Sequence, residues 1–249
     1  MDIVSFRNGR HLNLIGNMYV SNSKSAIIMS HGFTGDKFEW GKFDKIAYSL
    51  NHAGYNVLAF DFSGCGESDD DSLSLDKQID DLNSAINYAR NKNYQHLGLF
   101  GHSLGGLVSL RCYDENIKTI VMTAPVTDKV RYSWDKRYTK EQLEELAEKN
   151  YITKIRDKGV RRKIIIDRQM LIDRENVNQK QILEKIKCPV LILHGTEDAL
   201  VPTEDSKNAM KYLSLESKLE LIEKDNHSFE KLGLFLDKIN LWYLKYLEL

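Results

Sequence analysis

The residues whose types and spacing suit chemistry begin with Gly101-His102-Ser103-Leu104-Gly105-Gly106. A glycine two positions either side of a serine permits a sharp turn that lifts the hydroxyl out of the chain, provided a strand leads in and a helix leads out. The apolar run 97–100 precedes this turn and a helix-forming stretch, 104–113, follows it. Chance would place such a five-residue pattern here roughly 0.06 times, so coincidence is a poor explanation. The chemistry implied is nucleophilic attack by Ser103 on a carbonyl carbon.

A serine hydroxyl is a weak nucleophile unless a base takes its proton and a third group holds that base in the right tautomer. In a strand–turn–helix setting of this kind the acid and then the histidine follow downstream. Beyond Ser103 stand His194 and His227. His194 closes an apolar run just before Gly195, a structural position, whereas His227 sits between the last strand-like run and the last helix-like one. His227 is therefore the expected base. The acid should follow the penultimate strand, where Glu197 and Asp198 are candidates. Asp198 is chosen, because Gly195 turns the chain and a short carboxylate then reaches the rim. A tetrahedral intermediate also needs N–H donors aimed at its oxyanion. The Leu104 amide, at a helix start, and the Phe33 amide, in the loop His31-Gly32-Phe33-Thr34-Gly35, fill that role. His31 and His102 are expected to fix loops by hydrogen bonds.

The elements that must position these residues show in the pattern of apolar runs. Short runs at 26–30, 56–60, 97–100, 119–123, 190–194 and 218–222, bounded by Gly, Pro, Asp or Asn, read as buried strands. Helical stretches at 43–53, 75–90, 104–113, 204–213 and 229–246 fall between them, and in 75–90 Leu75, Ile79, Leu82, Ile86 and Ala89 trace one face. This alternation predicts an α/β fold: a mostly parallel sheet with helices on both faces, and an antiparallel hairpin over residues 2–20 at one edge.

One stretch breaks the rhythm. Residues 126–187 carry 17 Lys+Arg and 11 Asp+Glu, 28 charges in 62 residues, with a single strand-like run at 163–166 and helix-friendly stretches at 140–149 and 179–187. That length is too great for an ordinary connection. It is expected to be a cap inserted between core segments 1–125 and 188–249, with Tyr132, Trp134 and Tyr138 lining a substrate pocket over Ser103. Its positive excess would help draw anionic substrates; charge so mixed more often marks a solvated face.

Composition excludes several classes. With 35 Lys+Arg against 36 Asp+Glu the net charge is −1, which argues against nucleic acid as partner. Cys65, Cys112 and Cys188 are too scattered for a disulfide framework or a metal site, and the histidines form no ligand pair, so neither metal nor cofactor is expected. The first ten residues lack the basic-then-apolar layout of a signal peptide, and no run approaches the ~18 apolar residues of a membrane span, which points to the cytoplasm.

The ordered set His31-Gly32-Phe33, Asp61-Phe62-Ser63-Gly64-Cys65-Gly66-Glu67-Ser68, Gly101-His102-Ser103-Leu104-Gly105-Gly106, Asp198 and His227 resembles an α/β-hydrolase. Within that superfamily the His-Gly-Phe-Thr-Gly loop and the ending around His227 resemble cinnamoyl/feruloyl-type carboxylesterases, with monoacylglycerol-lipase-like enzymes next. The resemblance implies a small-molecule ester with a short or aromatic acyl group as substrate, and a structural role for 61–68. Lipase, lysophospholipase, thioesterase, peptidase and C–C hydrolase activities share the same residues, as does a receptor that binds a ligand without turnover.

Overall fold

The computed structural model describes residues 1–131 and 133–249. The chain opens with β1 (Asp2–Arg7) and β2 (Asn13–Tyr19), an antiparallel pair with Phe6 opposite Leu14. It continues through β3 (Ser25–Ser30), α1 (Lys42–His52), β4 (Asn56–Phe60), the short β5 (Ser72–Leu73), α2 (Leu75–Asn91), β6 (His96–His102), α3 (Leu104–Arg111) and β7 (Ile117–Thr123). The charged stretch supplies α4 (Lys140–Lys149), β8 (Tyr151–Ile155), β9 (Lys163–Asp167), α5 (Arg168–Glu175) and α6 (Gln179–Leu183). After it come β10 (Val190–Gly195), α7 (Thr203–Ala209), β11 (Lys218–Ile222) and α8 (Gly233–Tyr246).

Among the described residues eight strands form one sheet in the order β1-β2-β4-β3-β6-β7-β10-β11, parallel from β4 onward. Successive side chains of a strand point to opposite faces, so each central strand must be apolar throughout. In β3, Ala26 and Ile28 join the layer of α2 and α3, with Leu82, Ile86 and Leu107; Ile27 and Met29 join the layer of α1 and α8, with Phe43, Leu50 and Phe235. Polar anchors fix the register of α8. The Tyr243 hydroxyl donates to the Leu99 carbonyl at 2.7 Å and the Trp242 indole N–H donates to Thr119 Oγ1 at 2.8 Å. Burial of each such aromatic stabilises by about 1.5–3 kcal/mol, and the hydrogen bond removes the penalty of its polar tip.

The stretch 126–187 departs from expectation in its strands. Instead of one run at 163–166 it holds an antiparallel pair, β8 with β9, and β9 pairs in parallel with β5 to make a three-stranded sheet. In β8, Tyr-Ile-Thr-Lys-Ile buries Ile152 fully and leaves Ile155 exposed, a weak alternation that charge obscures. Ile152, Ile164, Ile166, Met170 and Leu171 belong to the same apolar cluster as α2 and α3, so this stretch packs on the core layer instead of enclosing a core of its own. α4 turns a charged, unburied face outward and begins at a capping box of Thr139 and Gln142.

Several helix boundaries differ from the sequence reading: the stretch expected at 104–113 ends at Arg111 and the one at 179–187 ends at Leu183. The last helix starts at Gly233, not 229, because Phe229 adopts φ 52°, which a right-handed helix cannot contain. The helix expected to reach residue 213 ends at Ala209. No helix of the described residues is long and apolar enough to cross a membrane.

Candidate active site

Ser103 lies at the junction of β6 and α3 with φ 52° and ψ −117°. A non-glycine residue held there costs on the order of 1–3 kcal/mol, which its surroundings must offset. They do so with backbone bonds: the Ser103 N–H donates to Thr123 O at 2.9 Å, and Ser103 O accepts from Val126 N at 3.0 Å and Gly106 N at 3.1 Å. The flanking glycines are required by close approach. A Cβ on Gly101 would stand 2.6 Å from Gly105 O, and one on Gly105 would stand 2.1 Å from Ser30 O. No side chain fits either place.

His227 and Asp198 arrive on two loops that are tied together. Thr196 N donates to Ile222 O at 2.9 Å, Glu197 N to Asp225 O at 2.8 Å, and Lys224 N to Thr196 Oγ1 at 2.9 Å. These bonds set the turn after β10 against the turn after β11. In consequence His227 Nδ1 lies 2.7 Å from Asp198 Oδ2, and His227 Nε2 lies 3.0 Å from Ser103 Oγ. With Nδ1 facing a carboxylate, the imidazole proton belongs on Nδ1 and Nε2 is left to accept from the serine. Burial alone would push the Asp198 carboxyl up. Hydrogen bonds from His194 and His227, with the Val201 amide at 2.9 Å, outweigh it and hold the group well below the usual carboxylate range.

The other histidines divide as follows. His194, fully buried, directs Nε2 to the same Asp198 Oδ2 at 3.1 Å and Nδ1 to Ser206 Oγ at 2.7 Å. Its place inside an apolar run gave no hint of this contact with the acid. His102 directs Nδ1 to Thr123 Oγ1 at 3.0 Å and packs 5.1 Å from the His227 ring; burial, then the neighbouring His227, pushes it down to about 3, so it stays neutral. His31 Nε2 accepts from Phe62 N at 3.2 Å, and burial lowers it also. Both histidines fix loops, as their positions suggest.

The loop after β3 runs beside the serine: a Cβ on Gly32 would lie 3.4 Å from Ser103 Cβ. Among the described residues neither the Phe33 amide nor the Leu104 amide meets a hydrogen-bond acceptor. The loop is braced from behind. Gly32 N donates to Glu39 Oε2 at 2.9 Å, and Lys37, itself buried, pairs with the buried Asp61 at 2.8 Å. Asp61 also accepts from Glu67 N at 2.9 Å, and Ser68 Oγ donates to Asp61 O at 2.6 Å, so segment 61–68 serves as a strut. Glu39 is the unexpected member, since the sequence offers no motif around it. It sits at φ 40°, buried, and burial pushes its carboxyl up to about 7.

A cavity of about 370 Å³ opens over Ser103. Its lining combines apolar Phe33, Trp40, Trp134, Tyr138 and Leu200 with basic Arg137, Lys154, Arg156 and Arg174. Trp134 and Tyr138 thus share the cavity with Ser103, while Tyr132 lies outside the described residues. All three cysteines are buried. Among the described residues no group of three or more His, Cys, Asp or Glu side chains is arranged to hold a metal ion.

Comparison with known proteins places this geometry. The family described as Hydrolase_4, serine aminopeptidase, S33, matches residues 21–179. An Escherichia coli protein called the uncharacterized 31.7 kDa protein in the traX-finO intergenic region is 27% identical over 216 residues, covering 73% of this chain and 75% of its own. The uncharacterized protein YfhR of Salmonella typhimurium is 27% identical over 190 residues, 75% of this chain and 58% of its own. Among solved structures, Est1E from Butyrivibrio proteoclasticus with ferulic acid bound superposes with TM-score 0.80 at 21% identity over 98% of both chains. The monoacylglycerol lipase of Paleococcus ferrophilus gives 0.75 at 20% identity, covering 98% of this chain and 99% of the other. At such identities these structures establish the α/β-hydrolase fold.

Proposed function

Because this chain belongs to the Hydrolase_4 family, described as serine aminopeptidase, S33, we propose that it is a serine hydrolase of carboxylic esters with short or aromatic acyl groups, acting through an acyl-enzyme. The observation that carries this is the unbroken chain from Ser103 Oγ to His227 Nε2, 3.0 Å, and from His227 Nδ1 to Asp198 Oδ2, 2.7 Å. In the proposed mechanism Ser103 Oγ attacks the ester carbonyl while His227 Nε2 takes its proton. Asp198 stabilises the imidazolium, and the Phe33 and Leu104 amides receive the oxyanion. Collapse breaks the C–O bond as His227 protonates the departing alcohol. Water, deprotonated by His227, then attacks the acyl-serine; collapse breaks the bond from the acyl carbon to Ser103 Oγ, His227 returns the proton to Oγ, and the acid is released.

Residues 126–187 act in this proposal as a cap on core segments 1–125 and 188–249, with Trp134 and Tyr138 shaping the acyl site. Two features favour an ester over a peptide. An aminopeptidase must hold a protonated amine with acidic groups, and the described lining of this cavity offers Glu39 against four basic side chains. The aromatic side chains of the lining suit a planar acyl group, and a structural neighbour holds ferulic acid.

The test is a panel of nitrophenyl esters of increasing chain length, methyl ferulate, monoacylglycerols and aminoacyl amides, assayed with native protein and Ser103→Ala. Preference for short or aromatic esters, lost in the variant, is expected. Preference for long chains that jumps above their micellar limit would favour a lipase, and cleavage of the amides a peptidase.

A further inference from the structure

Four basic side chains around one cavity need an explanation, because like charges repel, and for Arg174, which is buried, desolvation adds a further cost. They come from separate elements: Arg137 before α4, Lys154 in β8, Arg156 just beyond it and Arg174 in α5. The fold gathers what the sequence scatters.

The polar partners of Lys154, Arg156 and Arg174 do not neutralise these three. Arg174 is 8% exposed, its Nε is buried without a hydrogen-bond partner, and its guanidinium lies 5.3 Å from the Phe33 ring and 5.7 Å from the Trp134 ring. Arg156 also has a buried nitrogen, Nη1, without a partner, and its Nη2 reaches Asp36 at a loose 3.7 Å. Lys154 donates to the neutral Thr34 hydroxyl at 2.9 Å; burial, then Arg156 and Arg137, lowers its amine below the ordinary lysine value. Glu39 faces the same space, but burial favours its proton.

A cavity held in this state is repaid when an anion enters. Guanidinium groups make charge-assisted, directional bonds to carboxylate or phosphate oxygens, stronger than neutral hydrogen bonds and stronger still away from water. We propose that the ester cleaved at Ser103 carries a free anionic group, a carboxylate or a phosphate, on the part of the molecule held under residues 137–174, where Lys154, Arg156 and Arg174 bind it. This rests on the reading of Ser103 as an esterase nucleophile. It adds that the substrate is an anion whose charge sets specificity.

The experiment compares three esters with one leaving group: mono-4-nitrophenyl adipate, its methyl-capped diester, and 4-nitrophenyl 5-(phosphonooxy)pentanoate. An anionic ester should exceed the capped diester at least tenfold in kcat/KM, mainly through KM, and the advantage should shrink with added salt. The better of the two anionic esters identifies carboxylate or phosphate. Lys154→Met and Arg156→Met, checked for folding by circular dichroism, should lower kcat/KM for the anionic ester at least tenfold more than for the capped one. Equal turnover of charged and capped esters, or equal losses in the variants, overturns the proposal. Ser103→Ala protein, titrated calorimetrically with adipate and with 5-(phosphonooxy)pentanoate, keeps the two readings apart. If no ester is cleaved but an anion binds, the esterase reading fails and the anion site stands; if neither binds, the anion site falls whatever the turnover.

Discussion

One oxygen of Asp198, Oδ2, faces two histidines, His227 at 2.7 Å and His194 at 3.1 Å. The first also meets Ser103 Oγ through its other ring nitrogen, at 3.0 Å. The second, buried and anchored to Ser206, meets the same carboxylate oxygen. If Ser103, His227 and Asp198 act as proposed, His194 is a positioning residue acting through Asp198. We expect His194→Phe to lower kcat roughly tenfold or more while leaving KM nearly unchanged, and His194→Gln, which keeps a donor, to recover part of the loss. A buried acceptor deprived of its donor costs about 1–3 kcal/mol, so thermal stability should fall as well. Loss of stability alone, with native kcat, would reduce His194 to a packing role.

The strain at Ser103 has its own signature. Glycine accepts φ 52° far more readily than alanine, so Ser103→Gly should melt about 2–4 °C above Ser103→Ala, corresponding to ~1 kcal/mol, and turnover is expected from neither. Scanning calorimetry of the pair checks this.

Glu39 makes stability depend on pH in a calculable direction. Its carboxyl is raised from 4.5 to about 7 in the folded protein by burial, with Asp36 adding to the rise and Gly32 N–H, Lys42 and Arg156 opposing it. The folded state therefore holds the proton more tightly than the unfolded one. Stability is fully present below about pH 4.5 and is lost as pH rises through 7, by up to ~3 kcal/mol. Glu39→Gln, which retains an acceptor for the Gly32 amide, should match the native protein near pH 4.5 and exceed it at pH 8 in denaturant titrations.

How much of this was legible in the sequence depends on the range of the interaction. The strands β3, β4, β6, β7 and β10 showed as apolar runs because burial on both faces leaves no alternative composition; β11, at the sheet edge, buries only Ile222 and was marked instead by its alternation of charged and aliphatic residues. Ser103, Asp198 and His227 showed because each occupies a fixed place relative to a strand end. β8 did not, since Ile152 alone marks its buried side among charged neighbours. The helix start near Phe229 failed for want of any signal for a left-handed residue. His194 on Asp198, Glu39 behind Gly32, and the convergence of Lys154, Arg156 and Arg174 are contacts between distant segments, invisible until the chain is folded. The charge excess in 126–187 read as a solvated face holds for α4 and not for these three.

Scaffold and site should separate under mutation. Tyr243→Phe removes the hydroxyl that donates to Leu99 O at 2.7 Å, within the apolar layer of α1 and α8 and outside the lining of the cavity. A loss of about 0.5–1.5 kcal/mol in stability is expected, with kcat/KM unchanged below the transition. A drop in turnover without unfolding would reveal coupling between α8 and the elbow.

The central claim, that Ser103 is the nucleophile driven by His227, is tested most directly by labelling the folded protein with a fluorophosphonate and locating the adduct by tandem mass spectrometry. The account predicts a single adduct on Ser103, formed in native protein and slowed by at least two orders of magnitude in His227→Ala. An adduct on another residue, or equally rapid labelling of Ser103 without His227, would contradict it.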